Sequence, residues 1–373
     1  MDGPEPSRPQ SPAGDISAAG IHRRLEVHRL AVAGGEAAIA RDTGDRLGRV
    51  LLPRSRFAEV DAIATATLAL GPYVGAFYDR GWARRATGRP RPALEDYRQA
   101  LDLYREVGDR GNEAATLNNI GGVYSGLGER RRALDFYQQS LPITREAGDR
   151  ADEAATLNNI GLVYDGLGER QRALDFYQQA LPTLREVGDR AGEAATLNNI
   201  GGVYDGLGDR RRALDFYQQA LPIRREVGDR AGEAATLNNI GLVYNGLGER
   251  QRALDFYQQA LPIRREVGDR AGEAATLNNI GLVYNGLGER QRALDFFQQA
   301  LPISREVGDR AGEAVTRYNI AMVHRADGDL VLAVGELERV VDLDRQVEHP
   351  DLADDTAMLE QVRHELTQPP TET

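Results

Sequence analysis

Two adjacent rows of asparagine are the most repetitive chemical feature of this sequence. Asn118, Asn158, Asn198, Asn238 and Asn278 form one row at a constant interval of 40 residues, and Asn119, Asn159, Asn199, Asn239, Asn279 and Asn319 form the second. Each side-chain amide both donates and accepts, so an aligned row can hydrogen-bond the main chain of an extended peptide whatever its sequence. A third row, Ser125, Asp165, Asp205, Asn245 and Asn285, is most acidic in its middle and would favour a partner with positive charge there. A fourth, Gly122, Leu162, Gly202, Leu242 and Leu282, alternates small with large. The alternative for the asparagines is a bond to the neighbouring helix.

Other chemistry is sparse. The 373 residues include no cysteine, which removes disulfides, thiolate metal sites and cysteine nucleophiles. All 46 basic residues are arginine, so a phosphate-binding loop with its lysine is impossible, and no G-x-S-x-G elbow occurs. Gly286–Gly288 reads Gly-Leu-Gly but follows a helical pattern, not a strand. His22 and His28 are six apart and do not share a helical face as metal ligands would; His324 reads as a packed or partly exposed histidine. Asp295, Glu306 and Glu273 sit among arginines, as on solvated faces with ordinary ion pairs. The expectation is a non-enzymatic chain without cofactor or metal. A net charge of −11 argues against nucleic acid as a partner. The arginine-only basic set, with abundant alanine and 41 glycines, fits a GC-rich bacterial origin.

Rows can align only if the elements carrying them repeat in register. In the unit starting at Asp269, Leu277, Ile280, Gly281, Tyr284 and Leu287 are spaced by threes and fours, one stripe on a helix over Ala271–Leu287. Gly268 can take a left-handed helix end while Asp269 caps the next helix. Gly286 and Gly288 close the first helix, and a second runs from Arg290 to Val307 with Ala293, Leu294, Phe297, Ala300 and Leu301 inward. Ala275, Asn278, Asn279, Leu282 and Asn285 lie beside the core stripe of the first helix. One helix pair cannot bury its own stripe, so pairs must stack. Five close copies fill residues 109–308, with diverged copies over 71–108 and 309–348. Asp229–Gly268 and Asp269–Gly308 differ only at Tyr257/Phe297 and Arg264/Ser304.

Gly281, Tyr284, Gly288, Ala293, Phe297 and Ala300 stand at the spacing of the tetratricopeptide repeat, which this sequence resembles. Its usual unit is about 34 residues, and the longer unit here is similar to the subclass in kinesin light chain and the Pins/LGN adaptors. Arrays of this kind also occur in bacterial signalling proteins. The resemblance implies an all-α fold, a right-handed superhelix (α-solenoid) of about seven helix pairs with helical caps. It implies that Gly281 and Ala293 let the helices cross closely, that Tyr284 and Phe297 fill gaps between units, and that first helices line a concave groove. In the resembling adaptors, asparagines at the corresponding place hold peptide main chain. The absence of lysine argues against a clamp for chaperone tails.

Pro142, Pro182, Pro222, Pro262 and Pro302 fall inside every second helix of the close copies, where a kink or looser turn is expected. In the last unit Arg317, Ala321 and His324 replace the leucine, glycine and tyrosine of the pattern. The expected organisation is a disordered tail over 1–16, an N-terminal helical cap over 17–70 (helical at Ser17–Arg41 and Phe57–Ala69, separated by a Gly/Arg-rich stretch), the repeat array over 71–348, and a C-terminal capping helix and tail over 349–373. Neither a signal peptide nor a membrane span is apparent, so a cytoplasmic protein is expected. The functional expectation is a scaffold that binds a protein or peptide partner along the asparagine-lined groove. The alternatives are a regulatory sensor whose superhelix changes on ligand binding, and a self-assembling structural protein.

Overall fold

The computed structural model describes residues 17–367, so the tail expected over 1–16 and the final residues of the chain lie outside it. All regular structure among the described residues is helical. They divide into two compact units, one ending at Asn199 and the other beginning at Ile200, inside a single helix.

The first unit opens with α1 (Ala18–Ala33), α2 (Ala37–Leu51) and α3 (Phe57–Leu68). The helix expected over Ser17–Arg41 is in fact two. Gly35, at φ +72°, supplies a backbone turn that other residues rarely adopt. The Gly/Arg-rich stretch then folds as the rest of α2, because Ala40, Gly44, Leu47 and Leu51 share its buried face. Ile21, Leu47, Leu51, Val60 and Ile63 form a core that also takes in Ala83. Helix pairs follow: α4 (Val74–Ala86) with α5 (Pro90–Val107), α6 (Arg110–Gly126) with α7 (Arg130–Ala147), and α8 (Arg150–Gly166) with α9 (Arg170–Val187). The first turns of α10 (Arg190–Gly206) complete the unit.

The second unit takes the rest of α10 with α11 (Arg210–Glu226), then pairs α12 (Arg230–Gly246) with α13 (Arg250–Glu266), α14 (Arg270–Gly286) with α15 (Arg290–Glu306), and α16 (Arg310–Asp327) with α17 (Leu330–Val347). Helix α18 (Leu352–Thr367) lays Leu359 and Val362 on Ala321, Leu337 and Val341. Each unit is thus a stack of antiparallel helix pairs, a helical solenoid. The junction signals act as expected: Gly268 takes φ +71°, and the Asp269 carboxylate accepts from the Gly272 N–H at 2.8 Å.

Within a pair the helices meet at glycine. A Cβ on Gly281 would lie 2.5 Å from the Phe297 ring, and one on Gly241 would lie 2.6 Å from the Tyr257 ring. The last pair solves the same crossing with Ala321 against Leu337, both fully buried. The larger small residue is matched by a smaller large one. Tyr284, expected between units, stacks on Phe296 of its own pair at 5.4 Å between centroids. The second helices run unbroken through their prolines. Each proline is exposed, and so is the glutamine four residues earlier (Gln138 before Pro142) whose carbonyl loses its helical donor. Water can bond that carbonyl, which removes part of the usual penalty for proline inside a helix.

Candidate functional site

The first helices bring both asparagine rows together, and the rows bond to each other. Asn159 donates to the Asn118 amide oxygen at 3.2 Å, and Asn199 to that of Asn158 at 3.3 Å. In the second unit Asn279 donates to Asn238 at 3.1 Å and Asn319 to Asn278 at 3.0 Å. Asn119 has no asparagine before it and donates to the Tyr78 hydroxyl at 2.9 Å. Thr196 also donates to Asn158. Asn118, Asn119, Asn158 and Asn278 are buried. Asn159, Asn198, Asn199, Asn238, Asn239, Asn279 and Asn319 are partly buried. One function of the rows is therefore to tie each first helix to the next within a unit.

The other two rows reach solvent. Leu162 and Leu242 are exposed, Leu282 partly so. Ser125, Asp165, Asp205, Asn245 and Asn285 are each partly exposed at the end of a first helix. Burial raises the Asp165 carboxyl above the usual carboxylate range, and Arg170 offsets part of this. Beneath these rows lie second-helix tyrosines. The hydroxyls of Tyr97, Tyr177 and Tyr257 are buried without a hydrogen-bond partner. They belong to the repeats in which Trp82, Leu162 and Leu242 hold the fourth-row position. Tyr137 and Tyr217 belong to the repeats with Gly122 and Gly202. A Cβ on Gly202 would lie 3.6 Å from the Tyr217 hydroxyl.

A second constellation escapes periodicity. Glu273, expected on a solvated face, is buried at the start of α14. Arg265 of the preceding helix holds it at 2.7 Å and Arg270 of its own helix holds it too, while Arg270 reaches Glu306 at 2.8 Å. Glu233 repeats the arrangement with Arg225, Arg230 and Glu266. In the first unit Glu113, Glu153 and Glu193 are each gripped by two arginines. These carboxylates seal helix junctions, because a buried charge stripped of one partner would be strongly destabilising. Arg317, at a core leucine position, is buried between Glu313 and Glu336 for the same reason. The charges of these residues were legible in sequence; their depth was not.

Near the start of the chain, Arg41 stacks on Tyr73, Tyr73 donates to Asp45, and buried Asp79 lies against Gly48. His28 is buried with its ring nitrogen 2.8 Å from the Thr67 hydroxyl, and burial lowers its affinity for a proton. No group of three or more His, Cys, Asp or Glu side chains among the described residues could hold a metal ion. No helix among them is long and apolar enough to cross a membrane.

The tetratricopeptide repeat family model matches in six overlapping segments, residues 75–146, 112–186, 152–226, 193–266, 232–306 and 272–346. No curated protein matches the chain significantly. Similar solved structures include the apo form of the quorum sensor NprR from B. thuringiensis, with 17% identity and TM-score 0.70 over 87% of this chain and 99% of that one. The apo form of RapI aligns with TM-score 0.61 at 19% identity, over 74% of this chain and 98% of its own. A Rap protein complexed with Competence and Sporulation Factor aligns with TM-score 0.58 at 15% identity, over 94% and 99% respectively. At these identities the likeness is one of fold. The repeat matches span residues 75–346 and agree with the stacked pairs, so this chain belongs to the tetratricopeptide repeat family.

Proposed function

We propose that this chain is a non-catalytic interaction adaptor that holds an extended peptide segment of a protein partner along its first-helix face. The observation that carries the reading is made in each unit by itself: an exposed leucine, Leu162 in the first and Leu242 in the second, beside partly buried asparagines on helices otherwise rimmed by charge. An apolar position flanked by amides and carboxylates suits a peptide, whose side chains take the apolar contacts while its main chain meets polar groups. Asn159, Asn199 and Asn279 each donate a hydrogen bond to the preceding repeat, which leaves their amide oxygens for a peptide N–H. The likeness in fold to a quorum sensor, and to a Rap protein complexed with Competence and Sporulation Factor, supports a bound partner. It also supports the sensor alternative, in which the same binding changes the solution scattering profile.

The test is selection of peptides from a random display library, followed by titration of the selected peptides against the native chain and a Leu162→Glu/Leu242→Glu variant. Charges at these two positions should weaken binding by about tenfold or more, roughly 1.4 kcal/mol, with circular dichroism and melting temperature unchanged. Equal binding by both proteins would reject the reading.

A further inference from the structure

The first unit carries a charge order along its exposed first-helix face. The third-row position reads Arg85 in α4, Ser125 in α6 and Asp165 in α8, so a cation and an anion stand two repeats apart. The other arginines at this end of α4 are engaged: Arg80 pairs with Asp96 at 2.7 Å, and Arg84 pairs with Asp96 at 2.9 Å and Asp61 at 3.1 Å. Arg85 is exposed and its side chain makes no ion pair or hydrogen bond among the described residues. Its counterpart at the far end of the array, Arg325, is paired with Glu365.

Arg85 also lies over the gap at Gly122, where a Cβ would meet its guanidinium at 3.3 Å. Tyr137, packed against the adjacent Gly121, is buried, and burial raises its phenol well above the usual range while Arg85 offsets part of this. The guanidinium therefore covers Gly122, exposed and without an anionic partner. It donates paired hydrogen bonds, which suits a carboxylate. In α8, Leu162 stands at the Gly122 position and Asp165 presents a carboxylate instead.

Resting on the peptide-binding reading above, we propose that this face orients its partner segment. An acidic side chain of the partner pairs with Arg85 over Gly122, and a basic side chain of the same segment lies against Asp165. The two ends of the face are complementary to opposite charges, so a segment of reversed order meets like charge at both.

The experiment is the same random peptide selection run in parallel on the native chain, Arg85→Glu and Asp165→Asn. The native chain should enrich peptides with an acidic and a basic position in fixed order. R85E should lose the acidic position or replace it with a basic one while keeping the basic position, and should bind native-selected peptides about tenfold more weakly. D165N should lose only the basic position. Light scattering of the peptide-free proteins accompanies the selection. An identical consensus from the native chain and R85E would overturn the charge order while leaving peptide binding intact. A native consensus lacking acidic residues would do the same. No enriched peptide at all would overturn the peptide reading and this proposal together. A concentration-dependent mass that R85E abolishes would assign Arg85 to contact with a second copy of this chain and overturn the proposal.

Discussion

At the scale of single residues, the close copies are controls for one another. Asp152 stands where the others have Asn112, Gly192, Gly232 and Gly272. It is buried in the first turn of α8, and burial, with the Asp149 charge nearby, pushes its carboxyl up to about 6. A carboxyl that binds its proton more tightly folded than unfolded destabilises the fold above that folded value, where both states are ionised. The penalty fades as pH falls from about 6 towards 4 and is gone when both states are protonated. Asn112 in the same position donates to Asp109 at 2.7 Å, a bond open to an amide at 152 with Asp149. Asp152→Asn should therefore stabilise the chain at pH 7 by about 1–3 kcal/mol, and denaturant titrations should show most of the gain lost by pH 4. A gain of the same size at both pH values would remove desolvation as its cause. This scale also shows what was legible of the site. The asparagine rows could be read from spacing. Their mutual bonds could not, because they depend on how far each first helix slides past the next. Arg85 was missed because it matters by lacking a partner, which sequence does not display.

At the scale of the element, the second helix and its partner cross where Gly121, Gly161, Gly201, Gly241 and Gly281 admit an aromatic ring. The family resemblance indicated that close crossing, and the pattern placed the helix boundaries to within about a residue, since the caps and the 3.6-residue stripe recur in every copy. The break at Gly35 was less legible, because the segment before the array does not repeat and its pattern is read only once. The Ala321/Leu337 pair gives the crossing a natural second solution. Gly241→Ala should drive a methyl group into Tyr257 and cost about 1–3 kcal/mol, even though alanine favours helix. Tyr257→Leu should cost a similar amount by leaving a cavity. The double variant, rebuilding the Ala321/Leu337 arrangement, should recover at least about 1 kcal/mol relative to the sum. Chemical denaturation of the four proteins measures that coupling. Strict additivity would mean that the ring moves aside and the glycine is not required by the crossing.

At the scale of the whole molecule, the array is built so that one junction can substitute for another. Excising residues 229–268 joins Gly228 to Asp269, the same dipeptide as Gly228-Asp229, and the following unit differs from the excised one at only two positions. Arg225 would find Glu273 in place of Glu233, and Arg224 would find Asp269 in place of Asp229, each in a geometry the chain already uses. Stability in such stacks is approximately a sum of repeat and nearest-neighbour terms. The excised chain should therefore fold with unchanged helicity per residue, a single unfolding transition, and a melting temperature lower by only a few degrees. Removing residues 349–373 deletes fewer residues but strips α18 from Leu337 and Val341 and leaves that apolar face open. That variant should self-associate in light scattering, although it loses no repeat. If instead the excised chain unfolds and the truncated one stays monomeric, the repeats are not interchangeable, and stability resides in contacts that a nearest-neighbour description omits.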